Sequence, residues 1–66
     1  MKIMLNGSTK EIAGDVSVNA LLASLNFQPE GTVVERNGDI VDRASYGDTL
    51  LAEGDTIELV RFVGGG

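Results

Sequence analysis

Only one stretch of this chain has helical periodicity, and it is short. Val18, Leu21, Leu22 and Leu25 fall at i, i+3, i+4 and i+7, a single apolar stripe. Ser17 stands ahead of it as an N-cap that can accept from the orphan amides of the first turn. Asn26, Pro29 and Gly31 close it. A helix of about two to three turns does not hold by itself in water, so this one has to lie on a sheet. No disulfide can replace that packing, because the 66 residues include no cysteine. A chain of this length makes one domain with a thin core, burying roughly 60% of the surface its unfolded form exposes.

The strands flank the helix. Met1 to Leu5 is apolar, and Asn6-Gly7 follows it as a type I′ hairpin signal, with Ser8 to Ile12 as the return strand. Ala13-Gly14-Asp15 breaks the pattern before the helix. Thr32 to Arg36 reads as a third strand, Asn37-Gly38 as a second turn and Ile40-Val41 as a short fourth strand. Asp42 to Asp48 suits a turn or a 3₁₀ segment, and Leu50 and Leu51 return to the core. Glu53-Gly54-Asp55 turns the chain into a last strand, Thr56 to Val63. The expected fold is α+β: a sheet of four to five strands with one helix packed on one face. Residues 1–63 form the domain and residues 64–66 a glycine tail.

Strand parity separates the faces of that sheet. Ile3, Leu5, Ile57 and Leu59 point toward the helix, and Lys2, Met4, Glu58, Val60 and Phe62 point away. An open face should be polar, yet Met4, Val60 and Phe62 are large and apolar. Two readings follow: a docking patch for a partner, or a curl of the sheet that buries Phe62 at the rim of the core.

The residue inventory limits the chemistry. Without histidine or cysteine the usual general base, nucleophile and zinc ligands are missing. A catalytic cleft also needs a depth that so small a domain rarely provides. Five basic residues against ten acidic ones, a net charge of -5, disfavour nucleic acid and anionic membranes as partners. No apolar run reaches the length of a transmembrane helix, and the apolar start is too short for a signal peptide, so a cytoplasmic protein is expected. Asp39, Asp42 and Asp48 match no calcium loop and read as turn formers. Tyr46 reads as a satellite packing residue, and Arg61 as the point where the last strand leaves the core.

The remaining feature is Gly64-Gly65-Gly66. Terminal glycines can be an inert end or a linker remnant. Directly after a strand they can also form a slender arm that threads a slot too narrow for residues with a Cβ. Three extended residues reach about 10 Å.

Asn6-Gly7 after a first strand, the run Glu35 to Val41, and Gly54-Asp55-Thr56-Ile57-Glu58-Leu59-Val60-Arg61-Phe62-Val63-Gly64-Gly65 resemble the ThiS family, the sulfur carriers of thiamine biosynthesis. The resemblance spans the whole chain. It implies a ubiquitin-like β-grasp fold in which the first and last strands pair in parallel at the centre of the sheet, bringing Met4 beside Val60 and Phe62. It also implies a protein co-substrate rather than an enzyme. The Gly66 carboxylate would be adenylated with ATP and magnesium held by a ThiF-like adenylyltransferase, while Gly64 and Gly65 thread that enzyme's active site. A persulfide-carrying desulfurase would supply sulfur, and a ThiG-like thiazole synthase would accept it from the resulting thiocarboxylate. The family's minimal ending is a diglycine, so Gly65-Gly66 form the working pair if the chain ends as shown, and Gly65 is the reactive residue if Gly66 is an addition. A molybdopterin synthase small subunit, a ubiquitin-like modifier or an inert β-grasp interaction module would share this fold. The chain has no P-loop glycine pattern of its own, and a carrier without cysteine has its terminal carboxylate as the place to hold sulfur.

Overall fold

A computed structural model describes residues 1–62 of the chain. The five strands are β1 (Lys2–Leu5), β2 (Ser8–Glu11), β3 (Thr32–Arg36), β4 (Asp39–Ile40) and β5 (Thr56–Arg61), with one helix, α1 (Val18–Ser24). Two 3₁₀ turns, Pro29–Gly31 and Arg43–Ser45, complete the described elements. The sheet order is β2-β1-β5-β3-β4. β1 and β5 run parallel, the other pairs antiparallel. This is the mixed β-grasp arrangement expected, with β5 central.

Local chemistry accounts for the elements. Asn6 and Gly7 have φ of 48° and 85°, and Asn37 and Gly38 have 52° and 90°. A type I′ turn needs positive φ at both central residues, which these dipeptides tolerate. Ser17 caps α1 by accepting from the Ala20 amide at 3.0 Å. The helix stops at Ser24, and Asn26 reverses the chain with φ of 60°.

The core lies between α1 and one face of the sheet. Val18, Leu21 and Leu22 pack with Ile3, Val34, Ile57, Leu59, Leu51 and Tyr46, and all are buried. Truncating any of the buried leucines to alanine removes contacts worth about 2–5 kcal/mol.

Three expectations change. Tyr46 belongs to the core itself, since its hydroxyl donates to the Thr32 carbonyl at 2.7 Å and the ring is buried. Of the pair Leu50-Leu51, only Leu51 enters the core. The Leu51 amide donates to the Val16 carbonyl and Leu50 bridges to Ser17, so this segment is extended and its side chains alternate, leaving Leu50 exposed. The last strand ends at Arg61, and Val63 to Gly66, including the boundary drawn at residue 63, lie outside the described residues.

Candidate functional site: the end of the central strand and the open face

The sheet divides its residues by parity as expected. Along β5, Ile57 and Leu59 are buried under the helix while Glu58 and Val60 are exposed. Along β1, Ile3 is buried while Lys2 and Met4 are exposed. Phe62 is 63% exposed and Val60 53% exposed, so the sheet does not curl to bury Phe62. The open face therefore presents both side chains to solvent where the central strand ends.

Met4 does not join them. Met4 pairs with Thr56, and Leu5 with Ile57. The chain then turns at Asn6-Gly7, before β1 comes level with Val60. Val60 lies four positions beyond Thr56 along β5, about 13 Å at strand rise. The Met4 sulfur instead accepts from the Thr9 hydroxyl at 3.5 Å. The neighbour of Val60 is Val33, directly across from it on β3. Parallel pairing alone did not place Met4; the stagger between the strands did.

The end of β5 is held on both sides. The Phe62 amide donates to the Gly31 carbonyl at 2.8 Å, continuing the β3–β5 ladder into the 3₁₀ turn. The Arg61 guanidinium lies over the Phe27 ring, 4.5 Å from its centroid, a cation–π geometry. Arg61 thus anchors the strand to the segment that follows α1. Gly64, Gly65 and Gly66, the expected arm and reactive terminus, lie outside the described residues.

At the other end of β5 a polar cluster fixes its start. Asp55 is 6% exposed. Its carboxylate accepts from Arg36 Nε at 2.9 Å, Asn37 Nδ2 at 3.0 Å and the Ala52 amide at 2.8 Å. Burial by itself would push the Asp55 carboxyl up, but the bonds from Ala52, Asn37 and Arg36, together with the Arg36 charge, hold it below the ordinary aspartate value. Asn37 also accepts from the Thr56 amide through Oδ1 at 2.8 Å. Asn6 acts similarly across the parallel pair: its Oδ1 accepts from the Leu59 amide at 2.8 Å, taking over where β1 has ended. Sequence reading assigned Asn6, Asn37 and Asp55 to turns alone. Their partners lie 53, 19 and 19 positions away, beyond any local pattern.

Asp39 and Asp42 line an open cleft of about 370 Å³ beside β4, together with Arg36. Among the described residues, no group of three or more acidic side chains is placed to hold a metal ion. No described helix is long and apolar enough to cross a membrane.

The profile of the ThiS family matches residues 3–66. The sulfur carrier protein ThiS of Bacillus subtilis is 37% identical over 65 residues, covering 97% of this chain and 98% of that protein. A thiazole synthase of Magnetococcus marinus is 46% identical over 66 residues. That match takes in all of this chain and 20% of the thiazole synthase, so the chain spans about a fifth of the length of that relative. The crystal structure of the thiamine biosynthesis protein ThiS from Geobacter metallireducens superposes with a TM-score of 0.85 at 33% identity, covering 100% of both chains.

Proposed function

The chain belongs to the ThiS family, the sulfur carriers of thiamine biosynthesis, and we propose that it carries sulfur as a thiocarboxylate on Gly66. The observation that supports this most is the central strand. It emerges at Arg61 and Phe62 with its backbone hydrogen-bonded to Gly31, and it leads directly into Val63 and the glycines. A carrier needs a rigid body that delivers a slim chain end at a fixed place.

The chemistry is that of an activated carboxylate. One Gly66 oxygen attacks the α-phosphorus of ATP, held with magnesium in an adenylating enzyme of the ThiF type, and pyrophosphate leaves. A persulfide on the sulfur donor attacks the acyl carbon and AMP leaves. A thiolate attacks the donor's sulfur in the resulting acyl disulfide and releases the thiocarboxylate. A thiazole synthase of the ThiG type then takes the sulfur. Gly64 and Gly65 give the arm its slimness inside these partners. This chain supplies the carboxylate and the docking surface, and the partners supply the catalysis, in the cytoplasm. Docking uses the open face, with Val60 and Phe62 beside the arm and Met4 farther along.

Intact-mass spectrometry tests the reading after incubation with ATP, a sulfur donor and the adenylating enzyme. Replacement of one terminal oxygen by sulfur is the expected result. An unchanged mass, with the enzyme competent on another carrier, rules the reading out. A branched conjugate would instead indicate a protein modifier. Transfer of the sulfur to a thiazole synthase, and not to a molybdopterin synthase, separates the two pathways.

A further inference from the structure

Charge is segregated across the sheet. The two arginines of the β3–β5 pair both serve the helix side: Arg36 bonds Asp55, and Arg61 lies over Phe27. The open side of the same pair carries Glu35 and Glu58, directly across from one another in the register. Among the described residues the ion pairs are Met1 with Glu11 and Arg36 with Asp55, so no cation neutralises Glu35 or Glu58. Like charges placed directly opposite on neighbouring strands destabilise a sheet. The free domain carries that penalty at the centre of its open face.

Apolar residues frame the two carboxylates. Val33 and Val60 form the next row toward the end of β5, and Phe62 lies beyond them. On the outer side, Ile40 pairs with Glu35 and is 71% exposed. The result is an anionic pair set within an apolar surface that runs to Phe62, the last described residue. Its complement is an apolar protein surface with one cation at its centre.

Resting on the carrier reading above, we propose that the adenylating enzyme docks on this face and places a guanidinium or ammonium group between Glu35 and Glu58, with an apolar surface closing over Val60 and Phe62. One cation would then accept the charge of both carboxylates through charge-assisted hydrogen bonds. The apolar rim excludes water from that contact and strengthens it. A repulsion in the free carrier becomes an attraction in the complex. The overall charge of -5 favours encounter with a partner surface that presents that cation.

The test is steady-state adenylation of the full chain by the adenylating enzyme of the same organism, using Glu35→Gln, Glu58→Gln and the double variant. The double variant is expected to raise the KM for the carrier about tenfold at low ionic strength, with kcat within about twofold. Its KM should also depend less on salt. Its melting temperature should match or exceed that of the native chain, because the opposed charges are gone. Asp15→Asn with Asp48→Asn changes the net charge equally, away from this face, and should leave KM unchanged. A double variant with native KM and salt dependence overturns the proposal, as does one whose KM rises only together with a fall in melting temperature. Failure of the native chain itself to be adenylated would instead overturn the carrier reading.

Discussion

Asp55 follows a glycine in a tight turn, and its immediate neighbours mark it only as a turn residue. The folded chain makes it the meeting point of Arg36, Asn37 and the Ala52 amide. Asp55→Asn keeps the shape but discards the charge and turns one acceptor into a donor facing other donors. It should cost about 1–3 kcal/mol near pH 7, measured by urea unfolding. The pH dependence has a definite sign. The folded carboxyl titrates below its unfolded value, so its stabilisation is complete above roughly pH 4 and fades as pH falls through the lowered folded value. Native and variant stabilities should therefore converge as pH falls through that lowered value, and a gap that stays constant throughout acid titration would contradict this account. Single residues were legible where their chemistry is local. Ser17 is the N-cap its sequence neighbours indicate, because the amide it binds is three positions away. The bonds of Asp55 to Arg36 and Asn37 and of Tyr46 to Thr32 were not legible, because these partners are distant in the chain and no spacing rule connects them.

Elements were legible where period and turn chemistry agree. β3 occupies Thr32–Arg36 as read, and α1 follows the stripe through Val18, Leu21 and Leu22, while Leu25, expected in the helix, falls at its C-cap. The strand after Asn37-Gly38 starts one residue earlier than expected, at Asp39, because a two-residue type I′ loop pairs Arg36 with Asp39 at once. Parallel register was the part that sequence could not supply. No turn joins β1 to β5, and alternation alone fits any shift by two residues. That freedom is why Met4 was expected beside Val60 and is found level with Thr56. The Asn6 side chain helps hold the observed register through the Leu59 amide. Asn6→Gly retains the positive φ of the turn while deleting that acceptor. It should cost about 0.5–1.5 kcal/mol and speed hydrogen exchange at the Leu59 amide more than at Asn37, whose amide donates across the β3–β5 pair to the Thr56 carbonyl. Equal effects at both amides would show that Asn6 serves only the turn.

At the scale of the molecule, one face of the sheet is occupied by the helix and the other is open, and Phe62 stands exposed where the described part of the central strand ends. Phe62 is highly exposed, so Phe62→Asp should leave the circular dichroism spectrum and unfolding midpoint essentially unchanged while weakening association with the adenylating enzyme by about tenfold or more. The equivalent change at Met4, level with Thr56 and about 20 Å from Phe62 along the strand direction, should weaken it less. Loss of folding in the Phe62 variant would remove the docking role. The candidate site was legible as a composition, apolar residues near glycines, but its acidic centre was not, because the opposition of Glu35 and Glu58 exists only once β3 and β5 are paired. The position of β5 has one more consequence, which concerns synthesis. Of the five described strands, the one at the middle of the sheet is the last in chain order, and without it the β1–β2 and β3–β4 hairpins share no ladder. A nascent chain that stalls before Thr56 is left with two unconnected hairpins and an uncovered helix, a target for proteases. Every copy that completes this sheet has therefore already been translated through Arg61, just ahead of Val63 and the glycines.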